Sequence, residues 1–228
     1  VGTAARVAGL SADQVDLHAT YVGSSFGRRL ETDMVAQVVA LAMEMPGVPV
    51  QLVWRREDDI AHDFYRPASV AKLTAVLGTE HRIKSLQIKS ASAAPVQQLL
   101  HRAFGLPLAG PDKTAAEGLF DHPYEIPHQQ IAHVMVDVPV PVGAWRSVGH
   151  SHHAFFKESF IDEMAHAAQA DPVQFRRDLL AAHPRHLAVL NAAVGRAGKA
   201  TGGRAHGVAL HDCYGSIVAQ VAEVGVED

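Results

Sequence analysis

The stretch YVGSSFGRRLETDMVAQVVALAMEM, Tyr21 to Met45, constrains the fold more than any other, because its apolar period changes partway along. Before it, Val15, Leu17, Ala19 and Tyr21 alternate with polar neighbours, a period of two that predicts a half-buried strand over 14–22. After it, Leu30, Met34, Val35, Val38, Leu41, Ala42 and Met45 recur at three and four, predicting a helix that starts directly behind Arg28 and Arg29 and stops at Pro46 and Gly47. The break between them is Gly23-Ser24-Ser25-Phe26-Gly27. A helix N-terminus behind such a loop would offer unpaired backbone N–H groups and a positive dipole end to an anion. The spacing is neither G-x-x-x-x-G-K-[ST] nor G-x-G-x-x-G, so an ordinary turn stays open as the other reading.

The next apolar run, VPVQLVW at 48–54, predicts a second strand and with it a βαβ unit. A polar loop is expected at 55–67, then a hairpin turning at Gly78-Thr79-Glu80, a short helix over Val96 to Phe104, an extended surface connection over 105–127, and a strand at 131–140. The second half predicts helices. One carries Phe156, Phe160, Met164 and Ala167 on a stripe; the next is capped by Asp171 with Pro172 in its first turn; a third begins at His183 and Pro184. Strand pattern returns beyond Gly207. The class is α+β, mixed sheets with packed helices, and the expected portions are 1–140 and 141–228 of one incomplete larger subunit.

Composition excludes several functions. The 228 residues carry a formal charge of −4, leaving no basic excess for a dedicated nucleic-acid binder. The lone Cys213 rules out an internal disulfide or an iron–sulfur cluster held by this chain alone. No apolar run is long enough to span a bilayer, and a soluble protein is expected, cytoplasmic or periplasmic.

A second loop, PVGAWRSVGHSHHAFF at 141–156, repeats the arrangement of glycine, Arg146 and a helix start. The two together could grip parts of one polyanion; alternatively Trp145 and Val148 are core anchors and Arg146 is an ion-pair partner. His150, His152 and His153 fall in four residues of a chain with 15 histidines, but neighbours at a helix start diverge, so no protein-held metal is expected. His211 and Cys213 share one strand face while Asp212 faces away, which favours a buried structural thiol over a nucleophile. Glu57-Asp58-Asp59 reads as a solvated loop, and the like-charged pair Glu158 and Asp162 as solvent-exposed.

The segments GSSFGRRLETDMVAQVVALA, PVQLVWRREDDIAHDFYRPASVAKL, LPLAGPDKTAAEGL, PYEIP and VPVPVGAWRSVGHSHHAFFKESFIDEMAHAAQADPVQFRRDLL, in that order, closely resemble the large molybdenum-binding subunits of xanthine oxidase-type hydroxylases. The branch they resemble is that of isoquinoline 1-oxidoreductase beta subunits and related aldehyde dehydrogenase large subunits. The resemblance implies a cofactor loop at Gly23, Ser24, Ser25, Phe26, Gly27 and Arg28, where the family usually has G-G-G-F-G, and a second at Arg146, Ser147, Val148 and Gly149. It implies molybdopterin cytosine dinucleotide, with no direct protein ligand to the metal, and iron–sulfur clusters on a small partner subunit, with a cytochrome c as a further acceptor. The implied chemistry is hydroxylation of an N-heteroaromatic, or oxidation of an aldehyde, with oxygen from water. Leu30 and Val148 stand where purine-oxidising relatives use other residues, which implies an apolar substrate pocket. The family's catalytic glutamate sits in a G-x-G-E-type turn with no counterpart in 1–228, so no residue is assigned as base. Ser24 and Ser25 depart from the family's glycines and are expected to crowd the loop, which leaves a non-catalytic scaffold as the alternative.

Overall fold

The computed structural model describes residues 1–107 and 110–226. The chain folds as two compact units interleaved along the sequence. The first is built from Val1–Ala68, Ala93–Asp112 and Asp137–Arg146, the second from Ser69–Ser92, Lys113–Val136 and Ser147–Asp228.

Among the described residues the first unit holds four α-helices, α1 (Gly2–Ala8), α2 (Asp33–Met43), α3 (Arg56–His62) and α4 (Pro95–Phe104). Helix α1 lies on α2, where Thr3 Oγ1 donates to Thr32 Oγ1 at 2.9 Å. Pro95 occupies the first turn of α4, and Gly105 closes it in the left-handed conformation that its missing Cβ permits. Among the described residues no strand forms at 14–22 or 48–54, so the expected βαβ unit is absent from both segments. Their alternation is real, but a strand exists only through a backbone partner. Here Leu17, Tyr21, Val22 and Val53 point to solvent. The expected loop at 55–67 contains α3 instead, with Glu57, Asp58 and Asp59 in its first turn, where carboxylates complement the helix dipole.

The second unit carries the main hydrophobic core. Strands β1 (Ser69–Leu77) and β2 (Ile83–Ser92) form the expected antiparallel hairpin, and β3 (His128–Met135) adds to β2 in parallel, Ile88 opposite Ile131. A second hairpin pairs β4 (Ala205–Cys213) with β5 (Ser216–Val224), Leu210 opposite Ala219. Helices α5 (His150–Ala167), α6 (Pro172–Leu179) and α7 (Pro184–Ala197) complete it. Ile88, Leu119, Ile161, Leu180, Leu190 and Leu210 are essentially sealed from water. The Asp171 side chain accepts from Gln174 N at 2.8 Å, the cap its sequence predicts.

Two further expectations are corrected in this unit. The connection over 105–127 turns inward, burying Ala115, Ala116, Leu119, Tyr124 and Ile126; Leu108 and Ala109 of it lie outside the described residues. Helix α5 buries a broader face than its aromatic stripe suggests, with Phe160 in the core and Met164 packed against it. Ala167 is exposed, while His150, His153, Lys157, Glu158, Phe160, Ile161 and Ala165 are buried. Glu158 is therefore not solvated. It accepts from Tyr124 Oη at 3.0 Å, Arg176 Nε at 3.0 Å and Leu210 N at 2.9 Å. A fully buried guanidinium from α6 makes the burial of its charge tolerable.

Candidate functional site

The loop Gly23–Gly27 lies on the first unit, and its local geometry departs from a helix N-terminus. Arg28–Leu30 form a single 3-10 turn, and the chain extends again at Glu31 before α2 starts at Asp33, with Thr32 at the N-cap position making no side-chain cap bond. The helix start expected directly behind Arg29 thus lies three residues further on, and its first turn holds Asp33. Arg28 explains the break. It makes a bidentate pair with Asp33, both contacts at 2.9 Å, and reaches Asp63 Oδ1 at 2.9 Å and Asp59 Oδ1 at 3.5 Å. Burial alone would push the Asp33 carboxyl up, but the hydrogen bond and charge of Arg28 outweigh it and hold it below the usual carboxylate range. Arg28 thereby ties the loop to α2 and α3.

The second arginine comes to the loop through backbone contacts. Tyr65 N donates to Pro141 O at 2.9 Å and Gly143 N to Tyr65 O at 3.0 Å, laying residues 141–143 alongside Tyr65. Trp145 Nε1 donates to Phe64 O at 2.8 Å, and Arg146 N to Phe26 O at 2.9 Å. Trp145 is thus a half-exposed strut rather than a core anchor. Gly27 has φ +97°, and a Cβ there would lie 1.8 Å from Ala144 O; only glycine permits this approach. The Arg146 guanidinium stands 5.8 Å from the Phe26 ring centre. Two candidate residues 120 positions apart therefore meet within one unit.

Arg102 and Glu31 give this arrangement its floor, and nothing in their local sequence singles them out. Buried Glu31 takes a fork from the Arg102 guanidinium, which also donates to Val142 O at 2.9 Å and packs 4.2 Å from the Phe64 ring centre. Arg66 was equally hidden in a polar stretch. It packs 5.6 Å from the Trp145 ring centre and donates to Arg146 O at 3.2 Å.

Ser24, Ser25 and Phe26 open on a cavity of about 940 Å³, within the range of small-molecule and cofactor clefts. Six arginines (28, 29, 55, 56, 66 and 146) line it against two acids, Asp59 and Asp63, a surplus of four positive charges. Trp54 and Trp145 add flat aromatic walls. This donor set, with the Cβ-free approach at Gly27, suits a phosphate-bearing group with a planar ring. Leu30 is more than half exposed beside the loop. Ser24 and Phe26 have φ of +55° and +49°, whereas Ser25 is not among the positive-φ residues.

The remaining candidates belong to the second unit. Ser147 and Val148 have φ of +70° and +38°, and Gly149 caps α5. A Cβ on Gly149 would lie 2.6 Å from Thr114 O, so the helix start is seated against residues 114–117. Ser147 also hydrogen-bonds the half-buried Cys213, whose thiol is pushed up by burial, the opposite of nucleophile activation. Asp212 faces away, as expected, and meets His186 Nε2 at 3.1 Å. Among the described residues no group of three or more His, Cys, Asp or Glu is arranged to hold a metal ion.

Residues 2–180 match the family described as the molybdopterin cofactor-binding domain. The chain is 30% identical over 230 residues to an isoquinoline 1-oxidoreductase subunit beta of Brevundimonas diminuta, covering 98% of this chain and 29% of that protein. It is 29% identical over 178 residues to a membrane-bound aldehyde dehydrogenase [pyrroloquinoline-quinone] of Gluconacetobacter polyoxogenes, covering 76% of this chain and 23% of that protein. The chain thus spans less than a third of the length of these relatives. Its fold is shared with quinoline 2-oxidoreductase from Pseudomonas putida 86, at a TM-score of 0.58 and 18% identity over 77% of this chain and 24% of that one. It is shared also with an aldehyde oxidoreductase from Desulfovibrio gigas, at 0.60 and 19% over 89% and 24%. With a cationic cradle in its first unit and a family match over most of its length, the chain belongs to the molybdopterin cofactor-binding domain family.

Proposed function

We propose that this chain is part of the large subunit of a molybdenum hydroxylase, acting on an N-heteroaromatic or an aldehyde. The observation that carries the reading is the arginine-lined cavity of the first unit, where six cationic side chains surround the loop Ser24–Phe26. The residues that would hold the cofactor, in its molybdopterin cytosine dinucleotide form, are Gly23, Ser24, Ser25, Phe26, Gly27, Arg28 and Arg146, together with Ser147, Val148 and Gly149. Bound there, it supplies a two-electron oxidation in which oxygen from water enters the substrate.

The chain's own contributions are positional. Phe26 O fixes Arg146 N, Arg29 Nη1 holds Gly23 O at 2.8 Å, and Gly27 leaves room for the backbone at Ala144. Arg29 and Arg146 present charge to phosphate, while Arg28 braces the loop through its aspartates. The family resemblance assigns Leu30 and, separately on the second unit, Val148 to the substrate side, apolar residues that favour a flat heterocycle or an aldehyde over a purine. Electrons pass to a small iron–sulfur subunit and from it to an acceptor such as a cytochrome c. Among the described residues no helix is long and apolar enough to cross a membrane. We place the protein in the cytoplasm or periplasm.

A second reading, a relative that keeps the fold without the cofactor, draws on Ser24, a non-glycine residue held at φ +55° in the loop. Metal analysis of the full-length protein, matured in a host that makes the cofactor, separates the two. Stoichiometric molybdenum, reduced in the double variant R29Q/R146Q, supports the first. An empty protein, filled only when Ser24 and Ser25 are replaced by glycine, supports the second.

A further inference from the structure

Within the second unit, Lys157, His211 and His150 form a continuous line of hydrogen bonds beneath the turn at Gly118. Lys157 Nζ lies 3.3 Å from His211 Nδ1, and His211 Nε2 lies 2.9 Å from His150 Nδ1. His150 Nε2 then faces Asp121 Oδ2 at 3.7 Å. Lys157 is 2% exposed and His150 is 2% exposed, whereas the Asp121 side chain is 54% exposed, so the line runs from the interior to the surface. A Cβ on Gly118, whose φ is +87°, would lie 3.0 Å from His150 Cα and 3.3 Å from His211 Cε1, which shows how closely the turn covers the pair.

The donors and acceptors fix the direction of the line. An ammonium has hydrogens to give and no lone pair, so Lys157 donates and His211 Nδ1 accepts. His211 then carries its proton on Nε2 and donates to His150 Nδ1, which leaves the His150 proton on Nε2, toward Asp121. One neutral tautomer of each ring satisfies every contact. A proton added at His211 Nδ1 faces the Lys157 ammonium and destroys the acceptor on which the line depends.

We propose that this Lys157–His211–His150 line is a proton-released latch, fastening the β4–β5 hairpin to α5 while His211 is neutral and freeing it when His211 is protonated. The groups facing His211 decide whether a neighbouring anion could absorb the second positive charge. From α5 these are Lys157, His150 and Glu158; from the turn, Asp121 and, beyond it, His122 and Glu117; from β4, Asp212. Glu158 is taken by Arg176, Asp212 by His186 and Glu117 by Tyr214 Oη at 2.7 Å. Among the described residues Asp121 and Asp212 both favour a charged His211, but Asp121 is half exposed and screened by solvent, and the two together do not offset burial and Lys157. Burial first, and the charge of Lys157 second, accordingly push His211 down to about 4.

Cys213, the single thiol, ends β4 two residues from His211 and reports hairpin opening. In the full chain, its labelling by 4,4′-dithiodipyridine is compared with that of the same chain in denaturant, a ratio that does not drift because both thiols titrate well above the range used. The ratio should rise about tenfold between about pH 7 and about pH 4.5. In His211→Gln the amide oxygen still accepts from Lys157 and the amide N–H still donates to His150, but nothing titrates, so the rise should vanish. An acid response in H211Q equal to that of the native chain, or none in either, overturns the latch. Should H211Q fail to fold, nitrogen-15 imidazole spectra of the native chain decide. Nε2–H tautomers on both rings at neutral pH support it, and an Nδ1–H on either overturns it.

Discussion

Replacing Arg176 by Met tests how the second unit keeps a carboxylate in its core. Arg176 is fully buried and pairs with Glu158, Nε to Oε2 at 3.0 Å, while Nη2 donates to Glu158 O at 3.0 Å and Nη1 pairs with Asp162. Burial disfavours the charged guanidinium, yet Glu158, Tyr124 and Asp162 together outweigh it and hold Arg176 above the ordinary arginine value. Met fills similar volume, so packing changes little and the loss is electrostatic. Glu158 would keep Tyr124 Oη and Leu210 N as donors but lose the buried guanidinium that pairs with it, at a cost of about 3–5 kcal/mol. At about 2–4 °C per kcal/mol for a protein of this size, the Tm should fall by about 6–20 °C. In Arg176→Met/Glu158→Gln the buried charge is gone, and more than half of that loss should return, a coupling of about 2 kcal/mol or more. Amide hydrogen exchange at Leu210, whose N–H donates to Glu158, follows the unit locally beside the thermal melts. A single-variant loss under about 1 kcal/mol, or costs that simply add in the double variant, would refute the reasoning.

Three other outcomes follow from the geometry. Gly27→Ala should displace residues 143–145 and destabilise the first unit by about 2 kcal/mol or more, seen as a lower urea midpoint, because its Cβ overlaps Ala144 O and its φ is +97°. Ser24→Gly and Ser25→Gly should differ in sign: the first relieves a left-handed serine and gains up to about 1 kcal/mol, the second only adds unfolded-state freedom and loses about 0.5–1 kcal/mol in the same assay. Burial pushes His122 and His211 down to about 4 and His153 to about 3. The unfolded chain, titrating near 6.5, therefore binds these protons first. Stability should be full above about pH 6.5 and fall as pH drops toward 3, by at most about 1.4 kcal/mol per pH unit for buried His153 and by less for the half-exposed rings. A Tm that stays level from pH 7 to pH 4.5 would contradict that order of binding.

Local signals were legible wherever the chain supplies its own partner. Gly78-Thr79-Glu80 closes a hairpin because both strands lie beside the turn, and Asp171-Pro172 starts α6 because cap and helix are contiguous. The loop Gly23–Gly27 and Arg146 were singled out from residue type alone. Their meeting was not legible, because it depends on Arg146 N reaching Phe26 O across 120 residues. Residues 14–22 and 48–54 failed as strands for the converse reason, since alternation supplies a face but no ladder.

The sequence by itself determined the α+β class, the helices of the second half, the position of the candidate loop, and the family resemblance, since each is written in contiguous residues. Tertiary structure alone decided which charges go inside. Arg28 was diverted from a helix end to three aspartates, Glu158 drawn into the core by Arg176, and six scattered arginines gathered around one cavity. A charge's partner lies far along the chain, and its energy depends on the burial that only the folded protein creates.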